Sequence, residues 1–172
     1  TGWELPRLLH EGAQELLGKE SVAQVCAAVP RILLRGGRFG RAAVVLFNEE
    51  GGVVERFTRS GNDLSKHRIN LEAGVLRRVF EGAECFFRKG EMLEEMKFAS
   101  LVAPVSGLGQ VRGALYADDL TSMTPLREED GHVLTFFGRF VGAVIENIRR
   151  SQRLREEKEH LRHLVAEATE LV

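Results

Sequence analysis

Three shortages bound this chain before any pattern is sought: it has few cysteines, no long apolar run and almost no net charge. Two cysteines in 172 residues, Cys26 and Cys85, cannot build a disulfide framework. Cys26 falls in a helical pattern and Cys85 stands beside Phe86 and Phe87. Both read as small buried apolar side chains, and a reducing cytoplasm is the simplest setting. No stretch approaches the length that crosses a bilayer and no secretory signal is visible, so no membrane partner is expected. A net charge of -1 argues against direct nucleic-acid binding, which needs a concentrated positive field. Arg149, Arg150, Arg153 and Arg155 form a basic run, but Glu156, Glu157 and Glu159 follow directly. That is a solvated helical face.

Signatures of catalysis are also missing. Gly107, Gly109 and Gly113 lead into a strand, whereas a phosphate-cradling loop opens a helix. Asp118 and Asp119 have no histidine or further carboxylate nearby in sequence and read as a solvated strand end. Glu157 and His160 imitate one half of a diiron motif, which needs a second copy and more glutamates. His160 also lies where a sensor kinase would carry its phosphoacceptor. The stretch Glu159-His160-Leu161-Arg162-His163 lacks the acidic residue and the proline of that box, and a solvated outer face is expected. His67 and His132 have no partner that sequence identifies. With no nucleophile–base pair, metal cluster or phosphate loop, the chain is expected to be no enzyme and to hold no cofactor or metal; Cys85 is the one possible exception.

What is present in strength is the last helix. From Arg127 to Ile148 its apolar residues fall on two seams: Val133, Phe137, Phe140 and Val144 on one, Leu134, Val141, Ile145 and Ile148 on the other. Beyond Ile148 the second seam turns polar. The first continues at heptad spacing through Ser151, Leu154, Lys158, Leu161, Val165, Ala168 and Val172. Arg127 to Val172 would make a helix of about 69 Å, longer than a body of ~125 residues with a radius of gyration of about 14 Å. The division expected is a globular domain over 1–150 and a coiled-coil signalling linker over 151–172. A parallel homodimer through the terminal helices follows, with Phe137, Phe140, Val144, Leu154, Leu161 and Val165 meeting the partner. The start at Thr1 and the end in mid-heptad suggest a segment of a longer protein.

The rest of the chain alternates helices and strands. A helix over 3–17 stops at Gly18, and a second runs from Glu20 to Leu34. Arg41–Asn48 and Val53–Ser60 are strands joined by Glu49-Glu50-Gly51-Gly52. The first, apolar without alternation, should be covered on both faces. Asn70 caps a short helix to Phe80, Glu84–Arg88 is a short strand, and Met92–Met96 reads as one or two helical turns. Ser100–Val105 and Val111–Ala117 pair across a turn, and the closing helix starts at Arg127. The class is α+β: a central antiparallel sheet with terminal helices on one face and short helices and loops on the other.

This order, with Ser100-Leu101-Val102-Ala103-Pro104-Val105 and Gly109-Gln110-Val111-Arg112-Gly113-Ala114-Leu115-Tyr116-Ala117-Asp118, resembles a GAF domain from about Leu5 to Arg150. Glu128-Glu129-Asp130 and Ala143-Val144-Ile145-Glu146-Asn147 are similar to the family's closing helix, and Ile69-Asn70 with Val75-Leu76-Arg77-Arg78-Val79 to its ligand-side helix. The resemblance implies a bacterial signalling module that senses a small molecule or dimerises. The family's cyclic-nucleotide pattern is absent. Neither cysteine precedes a histidine, as bilin attachment requires, and Cys85 alone lacks the partner of the sulfoxide reductases. The resemblance also implies a pocket on the sheet face away from the terminal helices, with walls from Phe57, Arg59, Cys85, Phe86, Phe98, Leu101 and Ala103. The expectation is a non-enzymatic sensory domain signalling to an output domain, an AAA+ enhancer-binding transcription activator. A histidine kinase, a nucleotide cyclase and a Cys85-dependent redox enzyme are the alternatives.

Overall fold

Strand β1 (Arg41–Phe47) is buried along its whole length, and its alternating side chains define two apolar layers. The protein is described by a computed structural model over residues 4–35, 38–61 and 67–171. Before β1 come α1 (Glu4–Leu16) and α2 (Val22–Leu34). After it come β2 (Val53–Ser60), α3 (Ala73–Gly82), β3 (Phe86–Leu93), β4 (Met96–Gly107), β5 (Gln110–Asp118) and α4 (Asp130–Glu170). All strand pairs are antiparallel, in the order β2-β1-β5-β4-β3. This is the α+β architecture expected.

Ala42, Val44 and Leu46 face one side and join Leu101, Ala103 and Val105 of β4 in a core shared with α1, α2 and α4. Ala43, Val45 and Phe47 face the other side and pack with Val102 and Tyr116 beneath Leu76 and Val79 of α3. Short-range chemistry delimits the elements. Ser21 Oγ accepts the Gln24 N–H at 3.1 Å while Gln24 Oε1 accepts the Glu20 N–H at 2.9 Å, a reciprocal cap that starts α2. Leu108 (φ 54°) and Gly109 (φ 78°) make the tight turn between β4 and β5, where two left-handed residues match the twist of the strands.

Two expectations give way. Met92–Met96 is not helical: β3 runs on to Leu93, which pairs with Met96 across a turn at Glu94 (φ 56°). This edge strand is half-exposed, and so short an apolar run fits either period. The seam assignment on α4 also changes. Leu134, Val141 and Ile145 pack on the chain's own sheet, but so do Phe137, only 3% exposed, and Val144. They cannot meet a partner without leaving the core. The inward stripe is wide because α4 rests on β4, on β5 and on helices α1 and α2 at once. Phe136, 74% exposed, takes the outward place instead. The outward stripe therefore runs Val133, Phe136, Phe140, Ala143, Asn147 and onward at alternating spacings of three and four.

The helix begins at Asp130, three residues after the expected start, and spans 41 residues or about 61 Å. It lies against β4 with backbone nearly touching backbone: a Cβ at Gly138 would overlap the Pro104 carbonyl oxygen, and one at Gly142 the Ser106 carbonyl oxygen. Arg112 and the buried Glu146 form an ion pair at 2.7 Å near the point where the helix leaves the body. From Arg150 to Leu171 every residue is exposed.

Candidate functional site

Among the described residues, the α3 side of the sheet holds the most deeply buried charges. Because Ala43, Val45 and Phe47 point to this side, so does Arg41, two positions earlier on β1. It pairs in register with Asp118, the last residue of β5. Arg41 Nε donates to Asp118 Oδ2 at 2.7 Å, and the Arg41 and Leu120 backbone N–H groups donate to Oδ1 at 3.1 and 3.2 Å. Tyr116 Oη donates to the same Oδ2 at 2.6 Å, and Arg41 Nη1 reaches the Arg68 carbonyl at 3.1 Å. Phe98 covers the guanidinium, 5.2 Å from its ring centroid. Burial pushes the Asp118 carboxyl up from its ordinary value, against the opposing pull of Tyr116 and Arg41. Burial, reinforced by the neighbouring carboxylate, likewise pushes the Tyr116 phenol up.

Beside this pair, Ser100 Oγ donates to Glu91 Oε2 at 2.7 Å, and Arg88 bridges Glu91 and Glu72 at 3.3 Å each. The space left over Ser100, Val102 and Tyr116 is about 10 Å³, room for one water at most. The centre of the face is thus filled by the protein's own side chains. A larger cleft of about 530 Å³ opens towards β2, lined by Arg56, Thr58, Ser60, His67, Arg68 and Asn70 with Ile69. Its lining is polar and basic, and His67, partnerless in sequence, is part of it.

The residues expected to form one pocket are divided between the two faces. Phe86 and Phe98 lie on the α3 side; Phe86 packs there beneath the Arg78 guanidinium, 4.5 Å from its centroid. Leu101 and Ala103 belong to the opposite core, under the terminal helices. Phe57 and Arg59 pair with Val44 and Ala42, and so share that opposite face. Cys85 packs there too: a Cβ on Gly131 at the start of α4 would sit 3.1 Å from its Sγ. Residues one apart on a strand point to opposite faces, so Phe98 cannot share a wall with Leu101 or Ala103. β4 is apolar on both faces, and its alternation carries no mark of which side is which.

The aspartates differ from expectation as well. Asp118 is fully buried and paired, not solvated. Asp119 accepts the backbone N–H of Ala99 at 2.7 Å and of Leu126 at 2.8 Å, which ties the segment after β5 to β4. Sequence reading missed Arg41 and Arg56 altogether. The signal available was a lone charge at one end of each of two apolar strands, opposite in sign. Among the described residues no group of three or more histidine, cysteine or carboxylate side chains is placed to hold a metal. No helix there is long and apolar enough to cross a membrane.

Comparison with solved structures matches this geometry to GAF domains. The chain is similar to the GAF domain of a phosphoenolpyruvate-protein phosphotransferase from Coxiella burnetii, with a TM-score of 0.65 at 16% identity over 87% of this chain and 96% of that one. It is similar to a GAF domain assigned to a sensor histidine kinase from Pseudomonas syringae pv. tomato, with a TM-score of 0.61 at 15% identity over 90% and 93%. A third likeness is to the free methionine-R-sulfoxide reductase of Neisseria meningitidis, solved with its substrate, at a TM-score of 0.64 and 15% identity over 84% and 89%. No protein-family model and no curated protein sequence matches the chain. The fold is that of a GAF domain. At these identities the likeness carries the fold and not the activity.

Proposed function

We propose that this protein is a regulatory GAF module without catalytic activity, which dimerises through its terminal helices and passes a signal along α4 to an output domain. The observation that carries the reading is the exposed half of α4. Leu154 and Leu161, 60% and 61% exposed, continue the outward stripe of Val133, Phe136 and Phe140 beyond the point where the body ends. A helix that leaves its domain with one apolar stripe is stabilised by a partner helix rather than by its own residues. The GAF domain assigned to a sensor histidine kinase is a neighbour consistent with such a role. An AAA+ ATPase of the enhancer-binding type is the output domain we favour. A small-molecule signal would enter through the cleft at β2, since the middle of that face is closed.

The redox alternative would need Cys85 as an accessible thiolate. Its thiol is packed under α4 on the face away from the cleft, and burial pushes it up from its ordinary value. Sedimentation velocity tests the preferred reading. Wild type should be a dimer, Leu154→Glu with Leu161→Glu a monomer, and Arg155→Glu still a dimer. A wild-type monomer at high micromolar concentration defeats the reading. Reduction of free methionine sulfoxide that vanishes in Cys85→Ser would reinstate the enzyme.

A further inference from the structure

Strand β2 turns a polar face to the α3 side of the sheet. Arg56, Thr58 and Ser60 stand opposite Val45, Ala43 and Arg41 in the β1–β2 register, so they share a face with the apolar layer beneath α3. On β1 that layer is covered by Leu76 and Val79 of α3, a helix whose main contacts are with β4 and β5. The polar residues of β2 instead line the cleft of about 530 Å³. A cleft of that volume suits one small molecule, since such sites occupy roughly 300–1,000 Å³.

The charges of the lining are of one sign. Arg56 comes from β2 and Arg68 from the segment before α3, and no carboxylate lines the cleft with them. Among the described residues neither guanidinium has a hydrogen-bond or ion-pair partner. The buried Asp118 carboxylate does not serve them, because its oxygens are taken by Arg41, Tyr116 and the Leu120 N–H. Glu72 and Glu91 are paired with Arg88. The backbone that carries Arg68 is nevertheless held: Arg41 Nη1 donates to the Arg68 carbonyl at 3.1 Å, and Ile69 is buried in the core beneath α3. A cation on a fixed backbone gives up less freedom on binding. Thr58, Ser60, His67 and Asn70 add groups that donate as well as accept.

We propose that the β2 cleft binds a small oxyanion, a phosphate ester or a carboxylic acid. The Arg56 and Arg68 guanidiniums take the anionic group, and Thr58, Ser60 and Asn70 take the rest of the molecule. A planar guanidinium meets either kind of oxyanion with paired N–H donors, and such charge-assisted bonds are roughly twice as strong as neutral ones. A neutral ligand would displace water from two positive charges and compensate neither. The inference rests on the reading of this cleft as the entry for a signal and deepens it by naming the chemistry of the ligand.

The test is isothermal titration calorimetry with phenyl phosphate, inorganic phosphate and succinate as probes and phenol as an uncharged control. At least one anion should bind wild type saturably, with a dissociation constant of about 1 mM or below. Tighter binding of the two phosphates assigns an ester, and tighter binding of succinate a carboxylic acid. Arg56→Gln and Arg68→Gln should each weaken it by about tenfold or more, with circular dichroism unchanged. Arg59→Gln, on the opposite face of β2, should leave it as it is. Raising sodium chloride from about 0.05 M to about 0.5 M should weaken it further. No saturable anion binding, or binding that both arginine variants keep, overturns the inference. Phenol bound as tightly as phenyl phosphate overturns the preference for anions while keeping the cleft as a ligand site. Sedimentation of the same samples separates this from the dimer reading. A dimer that binds no anion defeats the inference alone, and a monomer whose anion binding needs Arg56 and Arg68 upholds it while defeating the dimer.

Discussion

Arg41 and Asp118 are the residues whose chemistry depends most on each other. Arg41 is 2% exposed and Asp118 fully buried, so removing either leaves a charge with neither water nor counter-ion. Arg41→Met should lower unfolding stability by about 3–5 kcal/mol in urea titration, and Arg41→Met with Asp118→Leu by less than that single change. The pH dependence follows. Without Arg41 the carboxyl is driven further above its ordinary value, so the folded state holds its proton more firmly. The loss should be smaller at about pH 5 than at about pH 8. Cys26 makes a second prediction at this scale. Burial pushes its thiol up to about 12 from 9.0, so its stabilising contribution is full below the lower value and is lost as pH rises between the two. Cys26→Ala should remove part of the alkaline loss, on the order of 3–4 kcal/mol at the far end. Stability measured from pH 8 to 12 that falls equally in both proteins contradicts this.

Among the elements, α4 does most to join the parts. It crosses β4 on Gly138 and Gly142, where any Cβ would overlap a strand carbonyl oxygen. Each glycine weakens an isolated helix by about 1 kcal/mol relative to alanine. Gly142→Ala would nonetheless destabilise the protein, because the obstacle is backbone and cannot turn aside as a flexible side chain would. A melting temperature lowered by about 5 °C or more is the expected outcome; an increase would mean that α4 is not seated on β4 in this way. Periodicity located this helix and the sheet-facing residues Leu134, Val141 and Ile145. It could not rank Phe136 against Phe137, because adjacent positions differ by little more than a quarter turn and an inward stripe of this width claims one of them.

For the whole molecule, the two faces divide the labour. The α3 face is filled at its centre over Ser100, Val102 and Tyr116, and opens at the β2 cleft and at a second cleft beside Phe47, Phe80 and Val111. The opposite side carries the open α1/α4 groove and the helix that leaves it. If dimerisation stabilises the folded chain, the melting temperature should rise with protein concentration, since partner binding acts by mass action. The variant Leu154→Glu with Leu161→Glu should lose that dependence. Equal melting temperatures for wild type across a hundredfold range of concentration would contradict the dimer.

The sequence alone determined the two N-terminal helices, the β1–β2 and β4–β5 hairpins and the long closing helix, though not the β3–β4 hairpin. Those rest on short-range signals: periods of 2 and 3.6, turn residues, and a seam that turns polar past Ile148. Tertiary structure decided the rest. Strands β1 and β4 are apolar on both faces, so nothing in their own residues says which side meets α3 and which meets α4. That is why Leu101 and Ala103 were expected beside Phe98 and lie across the sheet from it. Arg41 and Asp118 stand 77 positions apart and are made partners only by the register of β1 on β5. A pairing of that separation leaves no local trace, because each residue alone looks like a charge at the end of a strand.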